Sequence, residues 1–155
     1  MLKIIKKEIV TPKTPKEAFE EAEIFYQNAK EVLKKSPIKF GAFEKPKYVK
    51  EASAMEYLAA LRSIDGYLLS KGFLPQNLPT SIKEYEDALA KIPQNGKLLV
   101  ALEIAYQDLH IFGYYRDGVG VEMIKEGFSK VKFIIDTLKK ITNKAIRLQM
   151  QQRNY

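Results

Sequence analysis

From Ile124 onward an apolar side chain returns every three or four residues, through Phe128, Val131, Ile135, Leu138, Ile141 and Ala145 to Leu148. That is about seven turns of a single α-helical stripe. A helix of this length with one apolar face has to lay that face against other helices. The C-terminal segment therefore constrains the whole chain toward a helical bundle.

Four further segments repeat the pattern. The first runs from Pro15 to Lys35, with Thr14 as N-cap, Pro15 at the first helical position and Glu17 completing a capping box. Ala18, Ala22, Phe25, Ala29 and Val32 share its face, widened by Phe19, Tyr26 and Leu33. The loop Ser36–Pro46 follows, punctuated by Pro37, Gly41 and Pro46. The second helix is read from Lys47 to Lys71, with Gly72 as its C-terminal cap and a stripe of Ala54, Leu58, Leu61, Ile64 and Leu68. Gly66 lies inside it, at a cost of ~1 kcal/mol against alanine unless close packing offsets it. A short third helix, Ser81 to Lys91, opens on a Ser81–Glu84 capping box and buries Ile82, Tyr85 and Leu89. The fourth, Lys97 to Tyr115, carries Leu98, Leu102, Ala105, Leu109 and Phe112. The break Asp117-Gly118-Val119-Gly120 separates it from the fifth. Joined by short connections, these segments predict an all-α fold, an antiparallel up-and-down bundle of about five helices. One domain spans 1–155, with 1–13 as an extended arm or short strand and 143–155 as a basic helical tail. The stripe outruns what a bundle of ~20-residue helices needs, so the excess is expected to dock on a partner or a second copy.

Composition narrows the chemistry. The chain has 155 residues and no cysteine, which removes disulfides, thiolate metal sites and cysteine nucleophiles and suits a reducing cytoplasm. No charge-free apolar run approaches the ~18 residues of a membrane span, and MLKIIKKEIV does not read as a signal peptide. The net charge of +7 comes from residues 3–16, residues 34–50 and the tail. Most of these cations are lysines in loops or at helix ends, where solubility is the ordinary reason for them. The alternative is a polyanion surface.

The stretch Tyr106–Glu122, YQDLHIFGYYRDGVGVE, concentrates the residues with chemical potential. It contains the single histidine, His110. Tyr106 and Glu103 lie four and seven residues before it, so the three share a helical face. That arrangement fits a general base with an orienting carboxylate; a half-buried histidine satisfied by its neighbours is the commoner use. Arg116 either caps helix carbonyls or faces a phosphate. Gly118 and Gly120 either make a plain helix–helix turn or free the backbone so that the next helix N-terminus meets an anion, with Asp117 beside them. Tyr106, Tyr114 and Tyr115 are either an exposed stacking surface or caps tucked under loops; the second is expected for two of the three. Asp65, beside the second-helix stripe, is read as a partly exposed helix-edge carboxylate within reach of Arg62. His110, Tyr106, Tyr114, Tyr115, Arg116, Asp117, Gly118, Gly120 and Asp65 are thus the candidate anion or ligand surface. No catalytic set, metal site or cofactor motif is recognised: HExxH, GxSxG and the Glu-x-x-His spacing of di-iron bundles are all missing.

The first helix, AFEEAEIFYQNAKEVL, the glycine-ended second, EYLAALRSIDGYLLSKG, the short third, the fourth closing on GYYRD and the fifth, MIKEGFSKVKFIIDTL, resemble the HEPN-like helical bundles, the alternative being an uncharacterised bacterial helical family that shares only the bundle. Those bundles are similar to the C-terminal domain of kanamycin nucleotidyltransferase. The resemblance covers about residues 15–142. It implies the bundle, pairing as a homodimer, and in many members a nucleotidyltransferase partner. Ribonuclease members carry an arginine followed four to six residues later by a histidine. Arg116 fits the arginine, but Val121, Glu122 and Met123 stand where the histidine belongs. The expectation is a non-catalytic interaction or ligand-binding module without a cofactor, homodimeric and cytoplasmic, with no membrane association. The alternative is an RNA- or nucleotide-binding protein of HEPN type, a divergent toxin–antitoxin ribonuclease lacking that histidine.

Overall fold

The computed structural model describes residues 12–154. The arm expected over 1–13 therefore lies almost wholly outside the described residues. The elements are α1 (Pro15–Leu33), β1 (Ile38–Lys39), β2 (Ala42–Phe43), α2 (Pro46–Ser70), α3 (Ile82–Ala90), α4 (Gly96–Ala105), a π-helical segment (Tyr106–Tyr115) and α5 (Val121–Arg153). The all-α fold is as expected. α5 continues through the basic tail, which is helical to Arg153.

Side-chain contacts fix the directions. Glu21 meets Arg62, and the ring of Phe19 lies over Gly66, so α1 and α2 run antiparallel. Tyr57 stacks with His110 and Lys50 meets Asp117, so the π segment is antiparallel to α2. Gly113 faces Ile124 and Leu109 faces Gly127, so α5 turns back again. The core is continuous across all of these, with Ile64, Leu89, Leu102, Leu109, Ile124, Ile134 and Leu138 fully buried.

The helix ends follow from local chemistry. The Thr14 hydroxyl accepts from the Glu17 N–H at 3.1 Å. Ser81 caps α3, while the Glu84 carboxylate returns to the Thr80 N–H, one residue before the cap, at 2.6 Å. Gly72 has φ +95°, and the N–H groups of Gly72 and Phe73 reach back to the carbonyls of Leu69 and Leu68, each at 3.1 Å. This reciprocal pair closes α2 as a Schellman motif.

Three expectations are corrected. The loop after α1 contains an antiparallel hairpin, pairing Ile38 with Phe43 and Lys39 with Ala42. Its two turn residues, Phe40 and Gly41, both have positive φ, as a type I′ turn requires. The fourth helix leaves α geometry at Tyr106 and continues as π turns. The buried surface of α2 is wider than the expected stripe: Ile64 and Leu68 of that stripe are buried and Leu58 is exposed, while the inside also holds Ala52, Ser53, Glu56, Tyr57, Ala59, Ala60, Ser63 and Asp65. The reason is position. α2 is central, packed by α1 on one side and by the π segment and α5 on another, so it buries more than one face. Small residues let those neighbours approach. At Gly66 a Cβ would come within 2.8 Å of the Phe19 ring, which accounts for a glycine inside this helix.

Candidate functional site

The π segment decides where the candidate residues stand. Its hydrogen bonds run to the fifth residue back, as in Arg116 N–H to the Ile111 carbonyl at 2.8 Å. With wider turns, residues four and five apart share a face. Tyr106, His110 and Tyr114 consequently fall in one line. Tyr57 of α2 completes the set. Its ring stacks on His110 with centroids 4.9 Å apart and meets Tyr106 edge-on at 6.0 Å. His110 lies 5.3 Å from Tyr106 and 6.0 Å from Tyr114, the latter pair stacked. The result is a ladder of four rings, buried at Tyr57 and opening toward Tyr114. Burial raises the Tyr57 hydroxyl pKa well above the ordinary value, so it remains a neutral phenol.

Charge gathers at the open end. The Lys50 ammonium lies 5.8 Å from the Tyr114 ring centroid and 3.0 Å from the Asp117 carboxylate. The Arg116 guanidinium covers the Tyr115 ring at 5.2 Å and makes no ion pair among the described residues. Tyr114 and Tyr115 are 40% and 65% exposed, so two of the three clustered tyrosines face solvent, not the loops. Asp117 has φ +55°. Gly118 and Gly120 sit over Phe112, and at Gly118 a Cβ would meet that ring at 2.5 Å. The junction is also tied to the hairpin: the Val119 carbonyl accepts from the Phe43 N–H, and the Gly41 carbonyl from the Val121 N–H. One N–H of the α5 start is thereby engaged within the protein.

No hydrogen bond joins His110 to Glu103 or to another carboxylate among the described residues. The orienting partner that a general base needs is therefore missing. Asp65 is not at an exposed edge. It is 1% exposed, accepts from the Tyr85 hydroxyl at 2.9 Å, and meets Arg62 at 3.1 Å. Arg62 also holds Glu21 at 3.0 Å. Burial raises the Asp65 pKa, opposed by the Tyr85 hydrogen bond and by Arg62. This network braces α1, α2 and α3.

Two acids were not anticipated as site features. Glu56, next to Tyr57, is fully buried with neither carboxylate oxygen hydrogen-bonded, and burial pushes its pKa to about 9. Asp108 is buried on the π segment against Glu126 of α5. Burial and that neighbouring carboxyl hold it well above the usual carboxylate range. Neither has a signature in sequence, because a glutamate or aspartate in a helix reads as a surface residue.

No helix among the described residues is long and apolar enough to cross a membrane. A search of curated proteins finds no match. Among solved structures, the chain is similar to a protein of unknown function from Dyadobacter fermentans. That match has 29% identity and a TM-score of 0.69, and covers 82% of this chain and 97% of the other. Residues 17–140, which include the ladder, the junction and the Asp65 network, match the family described as Domain of unknown function (DUF5618), and the chain belongs to that family.

Proposed function

We propose that this protein is a single-domain, non-catalytic binding module whose working surface is the open edge of the aromatic ladder. The observation that carries the reading is the register of Tyr106, His110 and Tyr114, with the cations of Lys50 and Arg116 at the exposed end. A flat ring laid on Tyr114 or Tyr115 extends a stack that already exists, and an anionic group beside it meets Arg116. A nucleotide or a short single strand of RNA offers both. Asp117 holds Lys50 over Tyr114, and Gly118 and Gly120 let the junction pack onto Phe112. Asp65 is outside this surface, because its carboxylate is engaged with Tyr85 and Arg62.

Resemblance to HEPN-type bundles supports the same face, since Arg116 is the residue shared with their ribonucleases. A divergent ribonuclease is the second reading, favoured by the unpaired state of Arg116 among the described residues. A nucleotidyltransferase partner would suit that role. Homodimer formation is supported by the far end of α5, where Ile146, Leu148 and Met150 are 38%, 50% and 63% exposed. The lack of cysteine fits a cytoplasmic setting.

Fluorescence anisotropy of a labelled oligouridine tests the reading. Binding is expected at about 50 mM salt and should weaken as salt rises. Arg116→Ala should weaken it about tenfold, the loss of one charge-assisted contact, and Tyr115→Ala should do likewise. No binding of oligouridine or of adenosine nucleotides at low salt refutes the proposal, and cleavage of the RNA establishes the ribonuclease in its place.

A further inference from the structure

We propose that the groove between the C-terminal end of α1, the hairpin and the start of α5 binds a free single-chain amphiphilic carboxylate, a medium-chain fatty acid. The groove is open to solvent along one side and offers about 470 Å³, within the ~300–1,000 Å³ usual for small-ligand sites. Its walls are apolar: Leu33 from α1, Ile38 and Phe43 from the hairpin, and Phe128 from α5. Ile38 leaves 52% of its surface in water, an apolar wall that the described residues do not cover.

The charges on the rim have one sign. Lys30, Lys34 and Lys125 line the groove, and among the described residues no acid does. Among the described residues none of the three forms an ion pair; the Lys30 ammonium rests 5.4 Å from the Tyr26 ring centroid. Glu56, the acid whose charge reaches Lys30, is buried and kept protonated, so it does not neutralise that cation near pH 7. The remaining polar group, the Ser36 hydroxyl, already donates to the Pro37 carbonyl at 3.2 Å and accepts from the Lys45 N–H at 2.9 Å. An incoming head group is therefore met by ammonium groups alone, and they select an anion. A bare aliphatic chain is the complement of the walls.

A larger cleft of about 610 Å³, between the end of α2 and α3, lacks this signature. Lys71 and Lys91 there are matched by Glu84 and Asp87, so its rim selects no sign of charge. The lysine-rich stretch 34–50, which in sequence reads as solubility, thus supplies part of a charged rim around an apolar floor. None of the groove residues belongs to the ladder, so either site can fail without the other.

Isothermal titration with dodecanoate tests the proposal, with dodecyltrimethylammonium as a probe of equal chain length and opposite charge. Dodecanoate is expected to bind one per chain and the cation at least about tenfold more weakly. The surface double variant Lys34→Gln/Lys125→Gln should lose about tenfold for dodecanoate, with unchanged circular dichroism. Ile38→Asp, on the exposed wall, should abolish binding without unfolding the bundle. Equal binding of the two amphiphiles, full affinity in the double variant, or binding to anionic phospholipid vesicles with none to free dodecanoate each overturns it.

Discussion

The two halves of α2 bury acids in opposite ways. Toward its C-terminal end, Asp65 is hydrogen-bonded by Tyr85 and paired with Arg62, which also holds Glu21. Toward its N-terminal half, Glu56 and Ser53 are as deeply buried, yet the Glu56 carboxyl and the Ser53 hydroxyl have no partner. The first cluster is a completed brace between α1, α2 and α3. The second is divided: Ser53 lies against Gly113 of the π segment, whereas Glu56 faces Tyr26 and Lys30 of α1. Buried polar groups are ordinarily satisfied, and exceptions collect where a fold does more than hold itself together. The contrast separates a satisfied brace from unsatisfied polar groups on the same helix.

The largest effect should come from Glu56. Its folded pKa of about 9 lies above the ordinary value near 4.5. The folded state therefore holds a proton that the unfolded state has lost, and stability falls as pH rises between those two values. The slope from this group is at most about 1.4 kcal/mol per pH unit. Denaturant unfolding from pH 5 to pH 8 should show wild type losing stability relative to Glu56→Gln, and parallel curves would place the carboxyl in water or beside an unrecognised partner. At the braced end the acid has a cation to lose. Arg62→Ala leaves Asp65 buried without its cation and should cost on the order of 3 kcal/mol, read as a lower denaturation midpoint. A loss no larger than that of an exposed lysine would make the network decorative. Gly66→Ala drives a Cβ into the Phe19 ring and should cost about 1–3 kcal/mol, and a gain instead would mean that Phe19 yields freely. The smallest effect belongs to Lys50→Ala. It removes a solvent-exposed pair with Asp117 and should change stability by less than about 1 kcal/mol, while weakening any ligand held at Tyr114.

Much of this was legible in the chain. The stripes of α1 and α5, the Thr14 and Ser81 caps and the Gly72 terminus follow from periodicity and turn chemistry, and the structure places them within a residue or two. The hairpin has a signal of its own: Phe40-Gly41, between Ile38-Lys39 and Ala42-Phe43, is a two-residue turn with glycine. The inner face of α2 was hidden because a helix buried on more than one side shows no single stripe, and Ser53, Glu56 and Asp65 look like surface residues. The π turns were hidden because Tyr106, His110 and Tyr114 are spaced by four, which an α-helix also brings to one face. The candidate residues of the junction were found by their chemistry. What periodicity could not give was that Tyr57, from a different helix, completes their stack.

Because His110 is the single histidine of the chain and a rung of the ladder, its imidazole carbon-bound protons give isolated NMR signals that report directly on the proposed surface. Titrating adenosine monophosphate or oligouridine should shift those signals progressively to saturation, and the shift should vanish in Tyr114→Ala/Arg116→Ala. Saturating ligand that leaves the His110 signals where they were would contradict the account.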